Sequence, residues 1–303
     1  MKVWIAHEQG RELLGAVPDG VSVEVLEQAD GLPSDPADVE FWAPPFLSPQ
    51  ESAGLIERMK RLRAVQLLSA GADAWVGRFG ADVTLCDARG VHDSSTSEWA
   101  ITAMLAYLRE FPRFAREQAA RRWSYQITPE LAGKRVLIVG AGSIGEALAQ
   151  RLAPFDVSVT RVARRARDGV HGVDELPQLL PAADVVVILV PLTAATTGLV
   201  DAEFLAAMPD GALLVNAARG PVADTAALTA EVSSGRLGLA TDVTDPEPLP
   251  ADHPLWTLPN VLITPHVAGS VLGFLPRAYG LVGVQLRRYV TGSPLANVVA
   301  EGY

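Results

Sequence analysis

The sequence predicts an α/β protein of two domains, each built on a doubly wound parallel sheet. Two observations support this prediction. Apolar runs typical of β-strands recur through the first part of the chain, from KVWIA (2–6) to ADVTLC (81–86). A second and larger series runs from KRVLIVG at 134 to VLITPH at 261. Strands that alternate with helical segments are typical of this fold class, and 303 residues suffice for two domains.

Helical segments complete this alternation. QESAGLIERMKRL (50–62) has helical spacing between two strands of the first series. From about Ser94, STSEWAITAMLAYLREF begins with a polar first turn and then repeats apolar positions at i, i+3, i+4 and i+7, which predicts one long helix. RAYGLVGVQLRRYV lies beyond the last strand, so we expect it to pack back onto the first domain. The predicted domains are therefore 1–94 plus 275–303, and 95–274.

Composition excludes several classes of function. A formal net charge of −10 argues against broad binding to nucleic acids or anionic membranes. The single cysteine, Cys86, rules out an intramolecular disulfide and a cysteine metal cluster, and no metal site is predicted. The longest apolar run, DVVVILVPL, is too short to span a membrane, and charges come too early for a secretory signal. We therefore expect a cytoplasmic protein.

A glycine-rich turn between a strand and a helix, KRVLIV-GAGSIG-EALAQRL, is the first chemical motif. Gly140 permits the tight turn, Gly142 lets the backbone approach a pyrophosphate, and Gly145 allows close packing of helix and strand. The N–H groups of Ser143 and Ile144 would point at the anion at the start of the helix. Because a further strand follows this helix, the motif predicts a dinucleotide-binding Rossmann domain.

The end of that further strand, VSVTRVA, indicates which dinucleotide binds. An NAD site needs an acidic residue about 20 positions after the glycines to hold the ribose, and Ala163 stands there. Arginines crowd the region instead, at Arg161, Arg164, Arg165 and Arg167. Guanidinium groups bind phosphate, so this turn favours NADP(H), with Arg164 and Arg165 as ligands of the 2′-phosphate. NAD(H) with Asp168 on the ribose, or a solvated arginine-rich turn, stays open as the alternative.

Three polar residues each follow a strand of the second series: Arg219 in NAARG, Glu247 in DPEPLP and His266 in TPHVAG. The carboxyl ends of parallel strands lie side by side, and ligands bind in the crevice beyond them. A guanidinium, a carboxylate and an imidazole would therefore meet at one place. Such a group suits an anionic substrate that undergoes proton transfer.

Together these motifs resemble the D-2-hydroxyacid dehydrogenase family, and the resemblance extends through nearly the whole chain. It also includes LLSAGAD (67–73), PLTAATTGLV (191–200), LLVNAARGPVADTAAL (213–228) and DHPLWTLPNVLITPHVAGS (252–270). The resemblance implies an NAD(P)-binding Rossmann domain and a smaller flavodoxin-like substrate domain, with a cleft between them. It implies that the chain's last segment completes the substrate domain.

The resemblance also implies roles for individual residues. Arg219 would bind the substrate carboxylate and polarise the C2 carbonyl, His266 would be the general acid and base, and Glu247 would orient His266 and favour its protonated form. The hydride would come from the nicotinamide. Other cofactor contacts implied by the family are Asp242, near the nicotinamide amide, and Thr96, Thr193 and Thr197. The substrate carboxylate would lie on the backbone of Ser69, Ala70 and Gly71.

FWAPPF (41–46) is similar to a stretch of glyoxylate/hydroxypyruvate reductases in which an aromatic residue helps to close a small pocket. Trp42 is the candidate here, although a tryptophan of the core is an equal alternative. A small 2-oxo acid, reduced to a D-2-hydroxy acid, is therefore the predicted substrate. The resemblance further implies a homodimer in which the long helix region contributes.

Other functions stay open. A phosphoglycerate dehydrogenase is disfavoured, since no regulatory extension follows the last helix. A formate dehydrogenase is also disfavoured, because formate dehydrogenases of this fold carry Gln where Glu247 stands. An enzyme of specialised metabolism would look the same in sequence. A dinucleotide-sensing protein like the co-repressors of this fold could keep all three catalytic residues, but the chain has no disordered interaction tail.

Overall fold

A computed structural model describes residues 1–27, 31–45 and 52–299, and the chain forms two compact units. The first unit is Met1–His92 with Val271–Tyr303, and the second is Asp93–Ser270. Each unit contains one parallel sheet with helices, which confirms the predicted fold class. Residues 300–303 of the predicted first domain lie outside the described residues.

The first unit contains a five-stranded sheet. Its elements up to the sheet's last strand are β1 (Lys2–Ile5), α1 (Gly10–Leu13), β2 (Ser22–Val25), β3 (Val39–Ala43), α2 (Ala53–Ile56), β4 (Ala64–Gln66) and β5 (Thr84–Cys86). The strand order is β2-β1-β3-β4-β5, and all neighbours are parallel. This is the flavodoxin-like order, whose central strands are apolar because helices cover both faces of the sheet.

The helix expected over residues 50–62 is wrong in length. Only α2 is helical there, and residues 50 and 51 lie outside the described residues. After α2 several backbone N–H groups bond to the third residue before them, as from Arg58 to Leu55 at 3.0 Å and from Met59 to Ile56 at 3.1 Å. Leu55, Met59 and Leu62 are nevertheless buried. The helical spacing of these residues therefore reflects their burial in the core, which successive tight turns achieve without a continuous helix.

The second unit contains a seven-stranded sheet. Its elements are α3 (Asp93–Leu108), α4 (Phe111–Ala119), β6 (Arg135–Val139), α5 (Ser143–Leu152), β7 (Ser158–Ala163), β8 (His171–Gly172), α6 (Leu176–Leu179), β9 (Val185–Ile188), α7 (Ala202–Ala207), β10 (Leu213–Asn216), α8 (Thr225–Ser233), β11 (Gly238–Thr241) and β12 (Val261–Ile263). The strand order is β12-β11-β10-β9-β6-β7-β8, and all pairs are parallel. The order reverses between β6 and β9, and ligands of such sheets bind beyond the carboxyl ends at that point.

The long helix expected from about Ser94 is confirmed as α3, although it ends three residues before Phe111, where the predicted segment ends. α3 ends at Leu108, and Glu110 then takes a left-handed conformation with φ 51°. Pro112 stands in the first turn of α4, where a proline is tolerated at a helix start but would disrupt a helix interior. The described side chains of α4 include no buried residue.

α9 (Phe274–Val290) returns to the first unit, where it packs on α1 and β4. Its buried residues include Ala278, Tyr279 and Val282. A Cβ at Gly10 would lie 2.4 Å from the ring of Tyr279, so only glycine lets α1 approach α9 this closely. Within the described ranges, no helix combines the length and apolar character that crossing a bilayer requires.

Candidate active site

Three neighbouring strands deliver the three candidate catalytic residues to the same edge of the second sheet. Asn216 of β10 pairs with Thr241 of β11, and Thr241 pairs with Ile263 of β12. Arg219, Glu247 and His266 follow the ends of these strands. Since adjacent strands lie about 4.8 Å apart, the three loops leave the sheet within roughly 10 Å of one another.

Glu247 and His266 are in direct contact. The Nδ1 of His266 lies 2.7 Å from Oε1 of Glu247, and the imidazole is partly buried. A carboxylate can only accept, so Nδ1 carries the proton in this contact and Nε2 is the nitrogen left to exchange a proton with a substrate. The pair therefore has the geometry of an oriented general acid and base.

A left-handed backbone carries His266, with φ 54°. For a residue with a Cβ this conformation costs about 1–2 kcal/mol, so its surroundings must hold it. The His266 loop, residues 264–268, is bound by Asp242, whose backbone oxygen accepts from His266 N–H at 2.8 Å. The buried Asp242 carboxylate accepts from the Thr264 hydroxyl at 2.6 Å, from Val267 N–H at 2.9 Å and from Ala268 N–H at 2.8 Å. Asp242 thus forms hydrogen bonds with the His266 loop that could not be predicted from the sequence.

Arg219 lies in a loop that packs tightly against the loop of Glu247. Its Nη1 donates to the carbonyl of the preceding residue at 2.8 Å, and the side chain is partly buried. A Cβ at Gly220 would lie 1.9 Å from the carbonyl oxygen of Thr244. Glycine at 220 therefore permits the approach of the two loops.

The glycine-rich loop fits a dinucleotide pyrophosphate. Gly140 has φ 119°, and a Cβ there would lie 2.5 Å from the backbone of Leu189. A Cβ at Gly145 would lie 2.1 Å from the carbonyl oxygen of Gly140. At Gly142, in contrast, no atom of the described residues beyond its two chain neighbours lies within 4 Å of the Cβ position, and no side chain among them caps α5. The first helical residues are Ser143 and Ile144. The N–H groups at this helix start are therefore open to an anion.

The four arginines predicted to lie near the end of β7 have different surroundings in the structure. Arg161 lies within β7, where it pairs with Glu146 of α5 and donates to the carbonyl of Gly169 at 3.1 Å. Arg167 donates to the carbonyl of Ala141 in the glycine-rich loop at 2.6 Å. Arg167 thus supports the glycine-rich loop, and Arg161 contacts the first turn of the helix that follows this loop.

The other two arginines, Arg164 and Arg165, are exposed in the turn that follows β7. Ala163 ends that strand, so no carboxylate stands where an NAD ribose would be held. These two side chains remain the candidates for a 2′-phosphate.

The predicted threonines lie in two places. Thr96 is buried in α3. Thr193 and Thr197 lie in the loop after β9, where the Thr197 hydroxyl donates to the carbonyl of Thr193 at 2.8 Å. Thr196 holds the same loop by accepting from Thr193 N–H at 2.8 Å and donating to the carbonyl of Pro191 at 2.6 Å. Because β9 neighbours β6, this loop leaves the sheet beside the glycine-rich turn.

In the first unit, Ser69, Ala70 and Gly71 follow the carboxyl end of β4. The Ser69 hydroxyl donates to the carbonyl of Gly71 at 2.7 Å, which closes a compact turn. This is the edge of a parallel sheet at which ligands bind. Their contact with a substrate carboxylate stays a prediction.

Trp42 requires a correction. Its side chain is fully buried (0% exposed) within β3, and its ring lies edge-on to Trp75 with centroids 5.7 Å apart. Trp4 and Leu62 belong to the same apolar cluster. Trp42 is therefore part of the core of the first unit and does not line a substrate pocket. Phe46, the last residue of the motif that suggested this role, lies outside the described residues.

Cys86 has no role in this chemistry. The residue is buried at the end of β5, and burial raises the pKa of its thiol to about 12. A thiol with such a pKa stays protonated at neutral pH and is a poor nucleophile. Among the described residues no group of His, Cys, Asp or Glu side chains could hold a metal ion.

Sequence reasoning missed three residues that shape the site. Asn216 is buried at the end of β10, and its Oδ1 accepts from Ala218 N–H at 3.0 Å, which fixes the turn before Arg219. Thr264 binds Asp242 as described above, and Trp99 donates its indole N–H to the Thr264 hydroxyl at 3.0 Å. Thr264 stands in the TPH motif and Trp99 in TSEWA, but only the fold brings them together.

Comparison with known proteins agrees with this geometry. Residues 101–268 match the NAD binding domain of D-isomer specific 2-hydroxyacid dehydrogenases. A D-isomer specific 2-hydroxyacid dehydrogenase from Xanthobacter autotrophicus Py2, solved with NADPH and MES, is 34% identical, with a TM-score of 0.84 over 100% of both chains. An NADPH-dependent glyoxylate/hydroxypyruvate reductase from Sinorhizobium meliloti, solved with NADP and sulfate, is 28% identical, with a TM-score of 0.86 over 100% of this chain and 99% of that one.

Among relatives compared by sequence, the chloroplastic/mitochondrial formate dehydrogenase of Arabidopsis thaliana is 30% identical over 274 residues, which are 85% of this chain and 71% of the relative. The family suggested by the motifs is thus confirmed by matches that extend through most of the chain. The protein belongs to the D-isomer specific 2-hydroxyacid dehydrogenases, a family of NAD(P)-dependent enzymes.

Proposed function

We propose that this protein uses NADPH to reduce a small 2-oxo acid, of the glyoxylate or hydroxypyruvate type, to the D-2-hydroxy acid. The observation that carries the proposal is the contact of 2.7 Å between His266 and Glu247, next to the loop of Arg219. The likeness to the NADPH-dependent reductase of Sinorhizobium meliloti supports both the cofactor and the substrate class. Cytoplasmic location remains part of this proposal.

Each of the three residues has a distinct task in this reaction. Arg219 presents a planar fork that binds the substrate carboxylate and polarises the adjacent C2 carbonyl. Bound NADPH would supply the hydride that C2 receives. As the C2 oxygen gains negative charge, His266 transfers a proton to it from Nε2, and the hydroxy acid forms. Glu247 holds the imidazole at Nδ1 and balances its positive charge before the transfer.

Initial rates with a panel of 2-oxo acids test this function. NADPH oxidation should be clear with glyoxylate or hydroxypyruvate, compared with pyruvate and phenylpyruvate, and slower when NADH replaces NADPH. Turnover with NADH alone would keep the enzyme class and refute the cofactor preference. Dinucleotide binding without turnover on the panel would favour an enzyme with a specialised substrate or a dinucleotide sensor.

Replacing Arg164 and Arg165 together by alanine should weaken NADPH binding by about 10- to 100-fold, because the 2′-phosphate loses its charge-assisted hydrogen bonds from the two guanidinium groups. Binding of NADH should barely change, since NADH has no such phosphate. Fluorescence titration with both nucleotides measures the two dissociation constants. Replacing the exposed Arg109 and Arg151 by alanine is the matched control. Equal losses for NADPH and NADH would show that the turn is only a surface feature.

We also propose that the protein is a homodimer through α4 and the segment after it. Large apolar side chains are exposed there, including Phe111 (64%), Trp123 (100%), Tyr125 (85%) and Ile127 (82%). Such a cluster is unusual on a monomer, and mixed charges, with Glu117 paired to Arg122, make the surface suitable for a second copy of itself.

Replacing Trp123 and Ile127 by serine should shift the protein from dimer to monomer in sedimentation velocity, because the apolar area that drives association is removed. Replacing the exposed Val76 by serine should leave the dimer intact. A wild-type protein that sediments as a monomer over the whole concentration range would refute the proposal.

A further inference from the structure

A chain of hydrogen bonds connects α3 to the His266 loop. It begins at the indole N–H of Trp99, which lies 3.0 Å from the Thr264 hydroxyl oxygen. The Thr264 hydroxyl lies 2.6 Å from Oδ1 of Asp242. Asp242 in turn accepts the N–H groups that follow His266, as described above. Trp99 and Thr264 lie 165 residues apart in sequence.

The chemistry of these groups fixes the direction of every bond. An indole nitrogen can only donate, so the Thr264 oxygen must accept from Trp99. The single hydroxyl proton of Thr264 is then directed to the Asp242 carboxylate, which can only accept. Asp242 is 3% exposed as a residue, so water does not replace these donors readily.

The same bonds surround the strained residue. The N–H groups of Val267 and Ala268 bind the Asp242 carboxylate just after His266, and Thr264 binds it just before. The loop is therefore held on both sides of His266, whose backbone is left-handed. If either side is released, the loop can relax to an ordinary conformation and the imidazole turns away from its present orientation.

We propose that Trp99 and Thr264 are positioning residues, which act through Asp242 to keep His266 in the orientation that proton transfer requires. This inference rests on the proposed role of His266 as the general acid and base. It gives α3 a part in catalysis that does not depend on contact with substrate or cofactor. The positions of the reacting groups are critical to the rate, because small misplacements of an acid or base slow proton transfer strongly.

Two variants test the two ends of this chain of bonds. Thr264→Val keeps the shape but removes the hydroxyl, and kcat should fall by about 10- to 100-fold, the effect of losing a bond to a charged group. Trp99→Phe keeps an aromatic ring but removes the indole N–H, and kcat should fall by about 2- to 10-fold, as for a neutral hydrogen bond. Substrate KM and the dissociation constant of NADPH should change little. Thr264→Ser should restore most of the rate.

Matched controls separate this effect from a general loss of stability. Trp256→Phe removes an indole N–H bonded to the carbonyl of Pro250 at 2.8 Å, and Thr229→Val removes a hydroxyl bonded to the carbonyl of Thr225 at 2.6 Å. Both controls lie in the second unit, and both should keep a normal kcat even if their melting temperatures fall.

Combination with His266→Ala distinguishes the inference from the proposed function. If Thr264 acts through His266, adding Thr264→Val to His266→Ala should not lower the residual rate further. Near-normal turnover of His266→Ala itself would refute the proposed function. Loss of turnover in His266→Ala together with a normal kcat in Thr264→Val and Trp99→Phe would refute the positioning role alone. If Thr264→Val does not fold, Trp99→Phe still decides the question, because it removes the other hydrogen bond of the chain.

Discussion

Replacing His266 by alanine should lower kcat for reduction of a 2-oxo acid by about 10²- to 10⁴-fold, the usual contribution of a general acid. The variant loses the imidazole that Glu247 orients at 2.7 Å, so the developing alkoxide must take its proton from water. Binding of NADPH should stay unchanged, because the glycine-rich loop lies at a different strand. Stopped-flow rates together with a nucleotide titration measure both quantities.

A second histidine–carboxylate pair supplies the control for this experiment. His171 lies 2.8 Å from Glu175 on the exposed surface of the same unit. His171→Ala removes a contact of the same kind and should leave kcat unchanged. Near-normal turnover of His266→Ala would refute the role of His266 as the general acid, and another group would have to donate the proton.

Replacing Arg219 by lysine should lower kcat/KM for 2-oxo acids by about 10- to 100-fold. Lysine keeps the charge but cannot offer two parallel N–H groups to a carboxylate, and charge-assisted hydrogen bonds are among the strong ones. The loss should appear mainly in substrate KM, because the proposed partner of this side chain is the substrate carboxylate. Arg109→Lys, on the exposed end of the segment after α3, is the conservative control.

A substrate without a carboxylate sharpens this test. The wild-type enzyme should prefer glyoxylate to a neutral aldehyde of similar size, and Arg219→Lys should reduce that preference. If the variant keeps the full preference for the acid, the carboxylate binds elsewhere and the role of Arg219 is refuted.

Much of this site could be predicted from sequence, because strand ends and motifs are local. Arg219, Glu247 and His266 each follow an apolar run, and a parallel sheet leaves little choice about where the ends of its strands lie. The glycine-rich turn could be predicted equally well, because its strand, its three glycines and its helix follow one another directly in the sequence.

What could not be predicted depends on side-chain direction and on partners far away in the chain. Arg161 and Arg165 look alike in sequence, yet Arg161 lies within a strand and binds Glu146, whereas Arg165 lies beyond the strand and is exposed. Trp42 stands next to a proline pair that suggested a pocket, but the tertiary fold places it against Trp75. No pattern in sequence indicates which residue meets the Thr264 hydroxyl.

The division of the chain into units has a consequence for synthesis on the ribosome. The second unit is one uninterrupted stretch, whereas the first needs α9 as well as its five early strands. At typical elongation rates roughly 10–40 s separate the emergence of His92 from that of Val290. The second unit is therefore complete first, while the earlier strands still lack α9, whose Tyr279 packs against Gly10 of α1. In that interval a nascent chain is exposed to chaperones and proteases through Met1–His92, the part of the first unit that is made first.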